Sequence, residues 1–345
     1  MPCSSERIVA RAARPGGCHH AWVFTAVTGP RADDDQPNHT SGGAHRATHD
    51  PLARWSVKRP RRVARSMRSL ALIDSDTGAL QRDIAVGVDP GPVAVGPSDV
   101  WVGNRADHTI TQVDLRTGHV LRGYGLADAA ATITADGKYV WIGNSYDGTL
   151  SRILVAYQQL SAPFFPDKTI TGLLSIVPGK DGLWVGGAGA ALLLLDEHSL
   201  AVRPTVPVAD RVRGVATDDS GTWTIQFRDH EVDRIVGNEA RVLTTVSGVP
   251  QSIRVGLNSL WVTTTSPSQL IQIDPTTGAQ LARQPLDAVP TAITLAGGAA
   301  WVAEGQVGRL QRVVPGGRVV ATTLDLGYRI GGAGCEWAIA LDHHR

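Results

Sequence analysis

DVWVGN, residues 99–104, sets an indole between two valines and then breaks into Gly103-Asn104. The chain writes this stretch repeatedly: YVWIGN at 139–144, GLWVGG at 182–187, SLWVTT at 259–264 and AAWVAE at 299–304. Looser copies are GTWTIQ at 221–226 and CEWAIA at 335–340. Trp101, Trp141, Trp184, Trp223, Trp261, Trp301 and Trp337 thus recur at intervals of 36–43 residues. A period near 40 filled with short apolar runs predicts four strands per unit. It does not fit a helical repeat, because helix-length amphipathic patterns are missing between the glycines.

One unit reads in full. GPVAVGP (91–97) predicts a first strand, DVWVGN (99–104) a second, TITQVDL (109–115) a third and HVLRGYG (119–125) a fourth. The turn between third and fourth strands repeats its chemistry as DSDTG at 74–78, DLRTG at 114–118 and DPTTG at 274–278. An Asp carboxylate accepts backbone N–H groups ahead of it, and the Gly supplies the positive φ of a tight hairpin. DSDTG lacks the remaining ligand positions of a calcium loop. Val-Trp-Val suits an inner strand with sheets stacked on both faces, the Trp filling a wedge between units. The small residues Gly103, Gly143 and Gly186 would then allow close backbone approach.

The chain ends eight residues past Trp337, and the periodic region opens on RSLALIDSDTG (68–78) and LQRDIAVG (80–87), a third and a fourth strand without a good preceding pair. The two halves are complementary. The expectation is therefore an all-β, seven-bladed β-propeller over residues 63–345, closed by pairing of its N- and C-terminal strands, which protects the sheet edges. A rival count lets Trp55 open an independent N-terminal blade.

Repeats such as PGPVAVGPSDVWVGNRADHTITQVDLRTGHVL resemble the bacterial YVTN-type β-propellers, in which a Y/W-V-x-N strand and an I/V-D-x-x-T-G hairpin recur. They are also similar to the streptogramin B lyase family. The resemblance spans about residues 63–345 and is carried by structural positions. It implies a seven-bladed ring and, for the lyases, a metal-assisted site with histidine and glutamate on the central face.

Residues 1–62 differ: rich in Arg, His, Pro, Gly and Asp and without periodicity, they are expected to be disordered. The basic run KRPRRVARSMR (58–68) reads as a solvated linker, though such runs also dock on nucleic acid or acidic lipid. A net charge of +1 argues against an obligatory nucleic-acid partner. Cys3, Cys18 and Cys335 make neither a disulfide framework nor a metal-ligand spacing. No run reaches the length of a membrane helix. The apolar patch AWVFTAV (21–27) lacks a cleavage site. The chain as written is expected to be cytoplasmic and monomeric, or extracytoplasmic if its N-terminus is misassigned.

No phosphate loop, HExxH or GxSxG motif is present. The histidines in comparable places, six or seven residues past their tryptophans, are His108, His230 and His343. Glu304 alone places a carboxylate where other repeats carry Asn104, Asn144 or Thr264. Glu304, His230 and His108 are thus the catalytic candidates under a lyase or lactone-hydrolase reading. A divalent metal enters only there; otherwise no cofactor is expected. The lyase pattern is not matched residue by residue.

The leading expectation is a non-enzymatic module that binds a small molecule or protein at the channel mouth. Loops entering first strands and leaving second strands share that face, and there the chain departs from its own consensus. The candidates are Asn104, Arg105, Asn144, Tyr146, Arg211, Arg213, Arg228, Glu304, Tyr328 and Arg329, arginine and tyrosine being favoured at recognition sites. YQQLSAPFFPDK (157–168) replaces an expected hairpin. Phe164 and Phe165 within it would form a partner-binding patch if exposed, or cap the blade edge if folded inward. A third reading is a chain whose only feature is its fold.

Overall fold

The computed structural model describes residues 5–9, 23–24, 26–29, 69–74, 80–144, 147–168, 170–227, 230–304, 307, 309–315, 322–325 and 338–339. The expectations for Trp55, Trp337, His343, the cysteines, the basic run and most of 1–62 lie outside them.

Six blades of four consecutive antiparallel strands are present among the described residues. Blade I is Pro90–Val95, Asp99–Asn104, Thr109–Asp114 and Val120–Gly125. Blade II is Ala130–Ala135, Tyr139–Asn144, Leu150–Leu154 and Gln159–Leu160. Blade III is Thr171–Gly179, Gly182–Ala188, Ala191–Leu195 and Val206–Pro207. Blade IV is Val212–Asp218, Gly221–Gln226, Glu231–Val236 and Glu239–Thr245. Blade V is Val249–Gly256, Ser259–Thr265, Gln269–Ile273 and Gln280–Pro285. Blade VI is Ala292–Ala296, Ala299–Glu304, Arg309–Val313 and Thr322–Asp325. From blade I to blade VI the first strands of successive blades touch one another, which makes them the inner wall.

Among the described residues the expected seven-bladed closure by N- and C-terminal strands is not formed: the propeller they make has six blades. Ser69–Asp74 pairs with Leu80–Ala85 on one edge, as expected. On the other edge its partner is Ser5–Val9, through Arg7↔Asp74, Ile8↔Ile73 and Val9↔Leu72, and not the C-terminal segment. Ser5–Val9 pairs in turn with Ala26–Gly29. Ala338–Ile339 contacts the first strands of blades VI and I, but its ladder is a parallel one with Val23–Phe24. The physical reason is competition for one edge. A two-residue C-terminal strand makes too short a ladder to displace the five-residue strand at 5–9.

Five tryptophans reach from their own blade into the next. Trp101 packs with Ala130, Ile133 and Ile142 of blade II, and Trp141 with Leu173, Ile176 and Val185 of blade III. Trp184 meets Val212 and Val215, Trp223 meets Ile253 and Val262, and Trp261 meets Ile293 and Val302. Second strands are buried on both faces, which is why they read as unbroken apolar runs. The glycine after the indole is needed for this. A Cβ at Gly143 would fall 2.9 Å from side-chain atoms of Thr132, Leu173 and Ile176.

The Asp-x-x-Thr-Gly turns form as expected where described. Asp114 Oδ1 accepts Thr117 N–H and Oγ1–H at 2.6 and 2.7 Å, and Gly118 sits at φ 74°. Asp274 Oδ1 accepts from Thr276 and Thr277, with Gly278 at φ 74°. Blade III makes the same turn from DEHSL: Ser199 replaces Thr, and Leu200 takes the left-handed position at φ 63°.

The segment 157–168 is not a loop thrown outward. Gln159–Leu160 pairs with the third strand, Ser161 N–H donates to Arg152 O, and Phe164 bridges Leu150 in both directions. Phe164 packs on the core between blades II and III, whereas Phe165 is 55% exposed. The two rings therefore do not form one patch.

Candidate functional site

At one end of the ring, the loop entering each first strand is tied to the turn after the second strand. Arg105 N–H donates to Asp89 O, Leu126 N–H to His108 O, Phe227 N–H to Arg211 O and Val246 N–H to His230 O. This is the mouth face that the sequence singles out.

The first strands enter this face through bulges. Register shifts fall between Pro90 and Val93, Ala130 and Thr132, Leu173 and Ser175, Val212 and Gly214, and Pro250 and Ser252. A bulge inserts one unpaired residue and re-aims its side chain. The inserted residues include Ala131, Leu174, Arg213 and Gln251 in four successive blades. Leu174 is 48% exposed for that reason, despite standing on an inner strand.

In blades IV and V the bulges bring a polar cluster together. Arg213 Nη2 donates to Gln251 Oε1, and Gln251 Nε2 donates to Thr265 Oγ1 at 3.0 Å. The Arg213 guanidinium carbon lies 5.2 Å from the centroid of the Phe227 ring, and that of Arg211 lies 4.7 Å from it. Two guanidinia over one ring are held by the ring quadrupole and concentrate positive charge at the mouth. Arg211 and Arg213 were expected on this face. Phe227 and Gln251 were missed by sequence reasoning; the visible signal was Phe227, one of only four phenylalanines, following directly on GTWTIQ. Arg228 lies outside the described residues, as do Tyr146, Tyr328 and Arg329.

Asn104, Asn144 and Glu304 end their second strands and are buried. They brace the fold at this end. Asn104 Nδ2 donates to Thr109 Oγ1 at 3.0 Å and Thr111 Oγ1 at 2.8 Å, and Asn144 Nδ2 donates to Thr149 Oγ1. Gln226 and Thr264 occupy the same place in blades IV and V. Glu304 Oε1 accepts from Asp287 N–H at 3.0 Å, Ala288 N–H at 3.4 Å and Gln311 Nε2 at 2.9 Å. Its Oε2 accepts no hydrogen bond and lies 3.8 Å from Arg309 Nη1, which also pairs with Asp287. Burial pushes the Glu304 carboxyl above the usual carboxylate range, with the Ala288 N–H and the Arg309 charge pulling the other way.

Arg105 crosses the bulge of blade I, where Gly91 has no Cβ to obstruct it. His108 and His230 each hold the left-handed position that ends the turn, at φ 49° and 54°, and offer their carbonyls to the next loop. Among the described residues, no three His, Cys, Asp or Glu side chains stand close enough to hold a metal ion. Nor is any described helix long and apolar enough to cross a membrane.

No family model matches the chain, and no curated protein matches it in sequence. Solved structures do match in fold. A catalytically inactive histidine-to-alanine variant of virginiamycin B lyase from Staphylococcus aureus, with quinupristin, is 17% identical. It covers 73% of this chain and 88% of its own, at a TM-score of 0.63. A streptogramin B lyase structure is 14% identical over 73% of this chain and 86% of its own, TM-score 0.61. The computationally designed protein Ika8 is also 14% identical, over 79% and 84%, with the same TM-score. At such identities the likeness shows the β-propeller fold and no activity.

Proposed function

We propose that this chain is a binding propeller that recognises an acidic small molecule or an acidic group of a partner at its channel mouth. The observation that carries the reading is the blade IV–V cluster, in which Arg211 and Arg213 flank the Phe227 ring and Arg213 meets Gln251. Bidentate guanidinium recognition suits a carboxylate or phosphate, and the ring supplies an apolar floor beside it. The bulges supply rigidity, since both inner-strand residues sit on the sheet and not on a free loop. The test is titration calorimetry with simple carboxylates and phosphate against the protein and its Arg211→Ala and Arg213→Met variants. Binding that weakens about tenfold in each variant supports the reading; no binding, or binding that both variants retain, overturns it.

A second reading, a lyase or lactone hydrolase, is favoured by one observation: Glu304 keeps a buried carboxylate oxygen without a hydrogen bond and has a raised pKa. Against it stand the backbone N–H groups and Gln311, which engage the other oxygen. A thermal shift on adding divalent metal, lost in Glu304→Ala or His230→Ala, would decide for it.

A further inference from the structure

The inner wall of the propeller is almost without charge. Across the six first strands, the only charged residues are Arg213 and Asp218 in blade IV and Arg254 in blade V. Arg213 belongs to the mouth cluster. Asp218 stands at the opposite end of its strand, where Oδ1 accepts Ser220 N–H and Oγ–H at 2.8 and 2.7 Å. Arg254 stands between these levels.

Its position breaks a rule that the other blades keep. The first-strand residue paired with the core Trp is Ala94, Thr134, Val177, Ala216 and Thr294 in the other five blades, and Arg254 opposite Trp261. Those five are small and buried or half-buried, because that site abuts the next blade. An arginine does not fit under the neighbouring sheet, and Arg254 is exposed although it belongs to an innermost strand. An exposed group on the inner wall faces the channel. The surrounding protein still crowds it, and the resulting desolvation holds its guanidinium below the ordinary arginine range. Among the described residues its one hydrogen bond is local, Nη1 to Ile253 O at 2.8 Å, and no carboxylate bridges it.

We infer that Arg254 is a second anion-binding point inside the channel, below the mouth cluster, and that the ligand is an elongated diacid lying along the axis. Arg254 is three residues beyond Gln251, which puts the two levels about 10 Å apart along the strand. One acidic group sits at Arg211 and Arg213, and the other reaches the Arg254 guanidinium, whose Nε–H and Nη2–H groups donate to no other described residue. The uncharged wall between them, including Leu174, suits an apolar spacer. A charge desolvated by surrounding protein gains more from an anion than the same charge in open water. This inference rests on the mouth reading and adds ligand length to it.

The test uses α,ω-dicarboxylates of increasing length, from malonate through glutarate and pimelate to azelate, titrated calorimetrically against the full chain. The wild-type protein is expected to bind azelate about tenfold more tightly than malonate. Arg254→Met is expected to bring azelate down to the malonate level and leave malonate unchanged, and Arg254→Lys to restore part of the length preference. Arg213→Met is expected to weaken the whole series. Circular dichroism of each variant excludes loss of fold. If Arg254→Met keeps the length preference, or if wild type shows none, the channel site is wrong while the mouth reading stands on malonate binding alone. If no dicarboxylate binds the wild type, both are overturned.

Discussion

Arg211 and Phe227 are joined twice. The guanidinium carbon lies 4.7 Å from the ring centroid, and the Phe227 N–H donates to the Arg211 carbonyl at 3.3 Å. The side-chain contact is thus held by a main-chain bond between the loop entering blade IV and the turn leaving its second strand. Phe227→Leu keeps apolar volume and the main-chain bond but removes the quadrupole. It is expected to cost about 1 kcal/mol of stability or less. Acidic ligands should bind several-fold more weakly, since both guanidinia lose their anchor. Calorimetry beside a urea melt separates the two effects; unchanged affinity would show that the ring does not position the arginines.

Glu304 and the turn aspartates respond to pH in opposite directions. The Glu304 carboxyl is raised above 4.5 by burial, so the folded state holds its proton more tightly than the unfolded state. Stability from this group is complete below about 4.5 and is lost as pH rises through the folded value. Glu304→Gln removes the ionising group and keeps an acceptor for Asp287 and Ala288 N–H. The melting temperature of the variant should gain on wild type between pH 4.5 and neutrality. A constant gap across that window would refute the burial argument.

Asp196 is held down to about 2, mainly by the Ser199 N–H, with the Ser199 hydroxyl and His198 N–H adding to it. Asp274 is lowered in the same way by Thr277 and Thr276. Here the unfolded state binds protons first. The stabilisation is present above about 3.8 and disappears as pH falls toward 2. Asp196→Ala should therefore lose stability at neutral pH and converge with wild type near pH 2, as measured by urea midpoints in acid.

Gly278 and Gly237 both have positive φ, at 74° and 61°, but different surroundings. A Cβ at Gly278 would collide with the carbonyl oxygen of Leu243, whereas one at Gly237 would meet open space. Gly237→Ala is expected to cost about 1 kcal/mol, the left-handed strain alone. Gly278→Ala should cost roughly 2–3 kcal/mol, because a backbone atom must also move. Equal losses in denaturant melts would mean that packing at Gly278 relaxes freely.

Trp261 sits on the face between blades V and VI, and Trp261→Ala would empty a site lined by Leu270, Ile293 and Val302. The loss is expected to be about 3–5 kcal/mol. A urea midpoint that barely moves would show that adjacent blades do not depend on the wedge.

Much of the architecture was legible because repeats state the same local rule many times. Val-Trp-Val, the following glycine and the Asp-x-x-Thr-Gly turn each need only a few neighbouring residues to act, so period and composition betray them. Leu200 at a glycine position was not legible, since its φ is imposed by the Asp196–Ser199 turn on either side of it. Half of the mouth cluster was visible as arginines off the consensus, Arg211 and Arg213. Gln251 was invisible because a bulge, which leaves no mark in composition, decides that it faces Arg213. Glu304 was legible only as the one carboxylate where other repeats carry Asn104, Asn144 or Thr264; its burial and its bonds from Asp287 and Ala288 N–H were not.

The amino-acid order alone determined that the chain is built of four-stranded units, which residues form their cores and how their turns close. These are local matters, decided by alternation, side-chain size and backbone freedom within a few residues. Tertiary structure alone decided that the described residues form six blades and not seven, because Ser69–Asp74 can accept only one partner on its free edge. The strand at Ser5–Val9 outcompetes the short C-terminal one through longer pairing. It also decided that Arg254, opposite Trp261 on an inner strand, is exposed where its counterparts in the other blades are buried or half-buried.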